Sequence, residues 1–248
     1  MTVHYKIRGF VFKKEDRLET DRIFSVFTEE FGRLEIFAKA IRKIASKLRG
    51  GMEMFSIADI EFIQGKYRKT LTDAVCTQKF TDLAVSPEKI EIAQKISSLL
   101  DIFIKGEQTD QKVWMLVTDF FEKLHGVSLQ SSHWQLAYDY FFWNLVSVLG
   151  YAPELSLCIV CRKTLNPSDL YFSSNEGGTM CGSCALSRNN ANLSFGAIKV
   201  SGDAVKILRL FLCQDWQTVV KLKAGLESLK TLEALSEDYG IYLTGVMH

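Results

Sequence analysis

The sequence predicts an α+β, multidomain protein: a small five-stranded β-barrel at the N-terminus, an α-helical body, and an inserted segment built on four cysteines. Three observations carry this prediction. The first 80 residues are rich in β-branched and aromatic residues, the hydrophobic period becomes helical after residue 85, and two Cys-x-x-Cys pairs interrupt the helical part. We place the barrel at 1–82, the helical domain at 83–248 and the insertion at 155–188 within it.

Five short segments at the N-terminus have strand character. In one of them, Leu34, Ile36 and Ala38 alternate with polar residues, as expected for a strand with one buried face. Closing such a small sheet into a barrel removes its exposed edges. An SH3-like barrel would fit the same pattern, so the spacing leaves the topology open. The five segments are 4–12, 21–28, 32–40, 52–63 and 67–76.

The helical part begins with recognisable caps. Ser86 and Asp110 are expected to cap the first two helices, and Ser131 or Ser132 the third. That third helix, 134–149, is apolar nearly all round, which predicts that it is buried. Further helical segments are 204–212, 216–222 and 226–239.

The strongest motif is Cys158-x2-Cys161-x19-Cys181-x2-Cys184. This spacing is typical of zinc sites, because a two-residue gap lets both sulfurs of a pair reach one ion. With four cysteine ligands the tetrahedron is closed to a catalytic water, which indicates one structural Zn²⁺ per chain. Redox exchange within one pair is the alternative.

Two more cysteines, Cys76 and Cys213, lie in apolar strand and helix patterns and are expected in the core. Asn144 lies in the middle of the most apolar window, 141–149, which is too short to span a bilayer. Because the chain also lacks an apolar secretory region at its start, we expect a cytoplasmic protein without a membrane segment.

The charge is unevenly distributed although the net charge is only +1. Residues 1–80 hold 16 Lys/Arg against 11 Asp/Glu, and no acidic residue occurs from Ile36 to Met52. The segment KAIRKIASKLRG, 39–50, carries five cations among small residues, which favours a loop that approaches a polyanion. A solvated charged loop without a partner is the alternative. The cations are Lys39, Arg42, Lys43, Lys47 and Arg49.

Aromatic residues on nearby strands could stack on nucleic-acid bases. They are Phe37, Phe55, Phe62 and Tyr67. Alternatively, they fill the barrel core. The sequence contains no phosphate-binding glycine loop, no dinucleotide fingerprint, no zinc-protease motif and no nucleophile elbow, which argues against an enzyme.

At this point the chain resembles the bacterial RecO family of recombination mediators. The resemblance rests on RGFVFK from Arg8, ETDRIFSVFTEEFGRLEIFAKAIRK from Glu19, and FSIADIEFIQGKYRKTLTDA from Phe55, and it continues through the helical and four-cysteine regions. Two positions depart from the family pattern. Ala40 stands where glycine is common, and Ile41 where a small residue is common.

The resemblance implies an oligonucleotide-binding (OB) barrel, a helical body, an inserted zinc finger and no enzymatic activity. It further implies binding of single- and double-stranded DNA and annealing of complementary strands at the nucleoid. The implied protein partners are RecR, the acidic C-terminal tail of single-strand-binding protein, and RecA as the recombinase to be loaded.

We expect the five cations of the basic segment to contact phosphates, with Arg22 and Arg33 as additional contacts. Arg22 could instead pair with Glu19 or Asp21 in the barrel wall. Two other functions stay open: a zinc-stapled protein-interaction scaffold that binds no nucleic acid, and an enzyme whose site the motifs do not reveal.

Overall fold

Five antiparallel and parallel pairings close the N-terminal strands into a barrel in the order β1-β2-β3-β5-β4. The β3–β5 pair is parallel, and β1 pairs with both β2 and β4. This Greek-key order is that of the OB fold and not of a simple meander. The strands are β1 Val3–Arg17, β2 Asp21–Thr28, β3 Gly32–Ala38, β4 Ser56–Gln64 and β5 Lys69–Lys79.

The computed structural model describes residues 3–44, 46–128, 133–190 and 196–246. Within these ranges the chain forms two compact units, 1–127 and 128–248. The predicted boundary at 82/83 marks the change from strands to helices, but the first compact unit continues through two helices. The predicted domain limits therefore stay a prediction.

The barrel core confirms the alternation expected in β3. Leu34, Ile36 and Ala38 are buried together with side chains from the other four strands. Val11 of β1 and Phe24 of the neighbouring β2 belong to the same cluster. Apolar side chains at every second position thus form the interior, as a closed sheet requires.

Three loops meet at one end of the barrel. Arg22 at the start of β2 lies opposite Ala38 at the end of β3, and Ile36 of β3 lies opposite Lys69 at the start of β5. The loops β1–β2, β3–β4 and β4–β5 therefore leave the sheet on the same side. A hydrogen bond from Arg42 N to Thr20 O, 3.0 Å, joins the first two of them directly.

Helices α1, Pro87–Phe103, and α2, Gln111–His125, pack against the barrel within the first unit. Phe10 of β1 lies 4.5 Å, centroid to centroid, from Phe121 of α2, and Ser97 Oγ of α1 donates to Phe12 O at 2.6 Å. Gly32 has a φ of +67°, and a Cβ there would stand 2.0 Å from Gln108 O, so the β2–β3 turn needs glycine. A 3-10 turn at Thr81–Ala84 precedes α1.

The predicted caps of these helices are confirmed. Ser86 accepts a hydrogen bond from Lys89 N, and Asp110 accepts from Lys112 N and Val113 N. Each cap satisfies backbone N–H groups that the first turn of a helix leaves without partners. The predicted cap of the third helix, Ser131 or Ser132, lies outside the described residues.

The second unit is built around α3, His133–Val148, which is buried as predicted. Trp143 stacks on Tyr239 at 5.1 Å and donates from Nε1 to Ser236 Oγ at 3.0 Å. Asn144 donates to Phe211 O, which explains a polar residue in the most apolar window. The surrounding elements are β6 Leu170–Ser173, β7 Gly178–Cys181, α4 Gly182–Asn190, β8 Ile198–Val200, α5 Gly202–Leu212, α6 Trp216–Val219 and α7 Leu226–Val246.

Among the helices of the described ranges, none combines the length and apolar character that crossing a bilayer requires.

Candidate nucleic-acid interface and metal site

Residues 39–49, called the basic loop below, follow β3; residue 45 lies outside the described residues. Ile41 and, just after the loop, Met52 are buried in the barrel core, and Leu48 packs partly against it. These apolar anchors fix the path of the chain. The charged residues between them, Lys39, Arg42, Lys43, Lys47 and Arg49, are all exposed.

Backbone contacts hold the first turn of the basic loop. Ala40 has a φ of +54°, in the left-handed region that glycine adopts most easily. Its N–H donates to Asp21 Oδ1 at 2.8 Å, and this hydrogen bond is the main reason why the pKa of Asp21 is lowered. Glycine would suit this conformation, whereas alanine adopts it at a cost.

The two glycines that follow the charges differ in what they do. A Cβ on Gly51 would stand 2.0 Å from Ala74 O, so this glycine lets the chain pack on β5. Gly50 faces open space. The sequence predicted small residues for a close approach to a partner, but Gly51 serves close packing against the barrel itself.

Arg22 is already paired on the barrel. Its Nε lies 2.7 Å from Asp16 Oδ1, and its side chain is 22% exposed. Asp16 also lies 3.4 Å from Arg42 Nη1, and the hydrogen bond from Arg22 is the largest cause of the lowered pKa of Asp16. The expected ion pair thus exists, but with Asp16 and not with Glu19 or Asp21.

Arg33 is held more firmly, with only 13% of its side chain exposed. It lies 2.5 Å from the carboxylate of Asp101 and donates to Asp101 O at 3.0 Å and Ile104 O at 3.2 Å. Lys13 completes the cluster at 2.9 Å from Asp101. Arg33 therefore joins β3 to the C-terminal end of α1, a role that the sequence does not indicate because the partners are 68 residues apart.

A groove of about 880 Å³ opens at the same end of the barrel. It is bounded by the β1–β2 loop, the β2–β3 face, the β4–β5 loop and the chain just after α1. The strand 2–3 face and these two loops are the elements with which OB barrels bind oligonucleotides. Leu18 of the β1–β2 loop lines the groove. Two residues later, Thr20 O accepts a hydrogen bond from Arg42 N of the basic loop, so the groove and the basic loop share the β1–β2 loop.

The four candidate aromatics separate into two pairs. Phe62 is buried and stacks on Tyr5, and Phe55 stacks on Phe121, so both belong to packed interiors. Phe37 and Tyr67 line the groove, and Tyr67 is 87% exposed.

The β4–β5 loop also supplies cations that the sequence interpretation missed. The guanidinium carbon of Arg68 stands 4.0 Å from the centroid of Phe37, and Lys66 Nζ stands 5.2 Å from that of Tyr67. Both are cation–π contacts. The sequence signal was GKYRK, a turn with three cations around an aromatic residue.

The four predicted metal ligands converge in the second unit. The sulfurs of Cys158, Cys161, Cys181 and Cys184 all lie within 4.8 Å of one another. A tetrahedron with metal–sulfur distances of about 2.3 Å has edges of about 3.8 Å, so the sulfurs need little adjustment to hold one ion. This group could hold a metal ion, as predicted from the spacing.

The backbone explains why these sulfurs meet. Arg162, at φ +59°, donates from its N–H to Cys158 O and closes the first knuckle. The β6–β7 hairpin carries Cys181 at its end, and Cys184 lies in the first turn of α4, which starts at Gly182. A Cβ on Gly182 would overlap the Asp169 carboxylate, so a larger residue at this position would require the Asp169 side chain to move.

The donor set fits a cation. Burial acts to raise the pKa of Cys158, but the backbone N–H groups of Cys161, Cys181 and Val160 outweigh it and lower this pKa to about 6. Burial and the neighbouring sulfurs raise the pKa of Cys184 to about 12. The backbone N–H groups thus stabilise one thiolate. Four neighbouring thiolates would repel one another unless a positive ion lies between them.

The remaining cysteines differ from expectation. Cys213 ends α5 and is exposed, so its prediction as a core residue is wrong. Cys76 on β5 was also predicted as a core residue, but it is only half-buried and is not part of the barrel core cluster.

Comparison with known proteins gives two family matches that together cover most of the chain. The model named Recombination protein O N terminal matches residues 1–80, and the one named Recombination protein O C terminal matches residues 85–243.

Similar curated proteins carry the name DNA repair protein RecO. One from Dehalococcoides mccartyi is 31% identical over 229 residues, 92% of this chain and 86% of the relative. Another from Alkaliphilus metalliredigens is 25% identical over 94% of this chain and 91% of the relative. One from Desulforamulus reducens is 25% identical over 95% and 88%. Since the C-terminal match alone spans more than half of the sequence, the chain belongs to the RecO family of DNA repair proteins.

Proposed function

We propose that this protein is a non-enzymatic recombination mediator that binds single- and double-stranded DNA and anneals complementary strands. The observation that carries the proposal is the basic loop, in which five exposed cations are anchored by buried apolar residues at the end of an OB barrel. Its family relatives are named for DNA repair and not for a reaction.

The basic loop suits binding without sequence selection. Lysine and arginine side chains that contact phosphates release condensed counterions, and this gain does not depend on the bases. Annealing brings two polyanions together, so a surface that neutralises phosphates lowers their mutual repulsion. Lys39, Arg42, Lys43, Lys47 and Arg49 are proposed as phosphate contacts. Arg22, which shares Asp16 with Arg42, is proposed as an additional contact.

Arg33 takes a different role in this proposal. Its guanidinium is occupied by Asp101 and by two carbonyls at the end of α1, so it positions β3 and does not reach a phosphate. The phosphate contact first expected for it is replaced by this positioning role.

The metal ion that the four cysteines would hold is proposed to be a structural Zn²⁺. Four thiolate ligands are typical of zinc, and they leave no position for a catalytic water. Bound there, the ion would supply a covalent link between the first knuckle and the start of α4.

The remaining steps of the proposal come from the family. In this role the protein acts in the cytoplasm at the nucleoid, binds the acidic tail of single-strand-binding protein, and pairs with RecR to load RecA on the coated strand. A scaffold that binds proteins only is the competing function, and DNA binding separates the two.

The test is fluorescence anisotropy of labelled single- and double-stranded oligonucleotides across a salt series. Parent protein should show log Kd changing linearly with log[salt], with slopes of about 0.7 per contact on single strands and 0.9 on duplex. Replacing Arg42, Lys43, Lys47 and Arg49 by alanine should lower the single-strand slope by about 2 to 3.

A charge-matched control changes Lys199, Lys221, Lys223 and Lys230 to alanine, all of them exposed in the second unit. It removes the same charge from the second unit and leaves the basic loop intact, so the slope should stay unchanged. If the parent binds neither oligonucleotide at low salt, the mediator proposal fails and the protein-only scaffold takes its place.

A further inference from the structure

The basic loop carries one large apolar side chain that takes no part in anchoring it. Ile44 is 96% exposed, whereas Ile41, three residues earlier in the same loop, is 2% exposed in the barrel core. On the other side of Ile44 along the chain, Leu48 packs partly against the same core. The inward apolar residues therefore fix the path of the loop, and Ile44 adds nothing to that packing.

Ile44 occupies the corner of a tight turn. Ser46 N donates to Lys43 O at 3.0 Å, which closes a turn whose central positions are Ile44 and residue 45, the latter outside the described residues. Turn positions are dominated by Gly, Pro, Asn, Asp and Ser, each for a conformational or hydrogen-bonding reason. A branched aliphatic residue has no such local reason to stand at this corner.

The surroundings of Ile44 in the chain are cationic. Lys43 and Lys47 stand on either side of it, both exposed, and no acidic residue occurs from Ile36 to Met52. An aliphatic side chain among cations is complementary to an apolar slot that lies between phosphates. The step between two stacked base pairs is such a slot, and proteins that bend DNA insert isoleucine and similar side chains there.

A lipid surface also presents anionic groups over an apolar interior, but it fits this loop less well. Binding in the plane of a bilayer takes the whole apolar face of an amphipathic helix. The described part of the loop offers a single exposed aliphatic side chain, and the helical turn that follows it is the short 3-10 turn Lys47–Gly51. One side chain is enough to enter a base step.

We propose that Ile44 is a wedge that enters a base step of DNA and unstacks it, so that the protein prefers DNA whose stacking is already weakened. The proposal rests on the DNA-binding function above and deepens it. The cations of the basic loop hold the phosphates of any DNA. Ile44 adds affinity where a mismatch, a bulge or a gap has lowered the cost of unstacking.

The test compares the parent protein with Ile44→Ser, which removes the apolar side chain and keeps every cation. The probes are a short, fully paired duplex and the same duplex with a central mismatch. Each carries, beside the central step, a fluorescent adenine analogue whose emission rises on unstacking. The parent should bind the mismatched duplex about tenfold more tightly and raise its emission, since the mismatch lowers the cost of opening the step.

Ile44→Ser should lose this preference and the rise in emission, while its salt slope matches that of the parent, because no phosphate contact is removed. Ile44→Leu keeps an apolar wedge and should behave as the parent does. The matched control is Leu226→Ser, which removes an exposed aliphatic side chain from the second unit and should also leave the preference intact. Equal parent affinity for the two duplexes, or a preference that Ile44→Ser retains, would overturn the proposal.

The two proposals fail in different ways. If only the wedge is wrong, the parent binds both duplexes equally and with steep salt dependence. If the DNA-binding function is wrong, the parent binds neither duplex at low salt. Vesicles with and without anionic phosphatidylglycerol complete the test, because vesicle binding that depends on Ile44, without a preference between the duplexes, would assign this side chain to lipid and overturn the wedge.

Discussion

The four-cysteine site and the basic loop place their functional side chains in opposite ways. In the first, four sulfurs converge within 4.8 Å, and backbone N–H groups point at one of them. In the second, Ile41 and its apolar neighbours point inward and the cations point away from the barrel. Metal binding needs all four sulfurs together, so removing one pair of cysteines should abolish it. DNA binding through separate cations should instead weaken by a small and similar amount for each cation removed.

The largest effect is expected at the converging site. Changing Cys158 and Cys161 to serine removes half of the ligands, so the variant should retain no metal and lose several kcal/mol of stability, with a melting temperature lower by about 10 °C. Metal content per chain and thermal melting measure this. Cys213→Ser, at an exposed cysteine, is the control and should match the parent.

If the double variant still held one metal ion per chain and melted with the parent, these cysteines would not be the ligands. If the double variant lost the metal and also lost all DNA affinity, the metal site and the basic loop would not act independently, which contradicts the contrast drawn between them.

The next largest effect is expected at the ion-pair cluster of Asp101, Lys13 and Arg33, which joins the barrel to α1. Asp101→Asn weakens the contacts with Lys13 and Arg33, and we expect a loss of about 1 to 2 kcal/mol in urea unfolding. The matched control is Asp203→Asn, which breaks an exposed pair with Lys206 on α5 and should cost little. Equal losses in both variants would contradict the special role of the Asp101 cluster.

The same cluster predicts a pH dependence. Burial acts to raise the pKa of Asp101, but Lys13 and Arg33 outweigh it, and the folded-state pKa is lowered. A lowered carboxyl pKa stabilises the fold above the unfolded value of about 3.9, and this stabilisation is lost as the pH falls through the lower folded value. The stability difference between parent and Asp101→Asn should therefore shrink below about pH 4, and a constant difference would contradict an ionic origin.

The smallest effect tests the turn that starts the basic loop. Ala40→Gly removes the cost of a left-handed alanine, and we expect a gain of about 0.5 to 1 kcal/mol with DNA affinity unchanged. Ala224→Gly, at a residue without a positive φ, should lose stability instead. A loss at both positions would show that the strain at Ala40 is not relieved by glycine.

Local patterns in the sequence predicted most of the fold. The alternation in β3, the caps Ser86 and Asp110 and the apolar third helix follow from neighbouring residues, and each is confirmed. The predicted strand 52–63 begins four residues too early, because β4 starts only at Ser56. Met52 lies in the barrel core and anchors the end of the loop, so it does not extend β4.

The metal site was predictable because a two-residue gap fixes which sulfurs can meet. The ion pair of Arg33 with Asp101 and the stack of Arg68 on Phe37 were not, because barrel closure and helix packing bring together residues far apart in the chain. Composition identified the basic loop, but only the fold shows that its cations are exposed and that Arg22 and Arg33 are already paired.

We propose that the basic loop promotes annealing through its charge. The measurement is the rate at which two complementary, dye-labelled strands pair in the presence of parent protein, the Arg42, Lys43, Lys47 and Arg49 alanine variant, and the Lys199, Lys221, Lys223 and Lys230 alanine control. We predict that parent and control accelerate pairing equally and that the loop variant loses most of the acceleration. Equal acceleration by all three would contradict the claim.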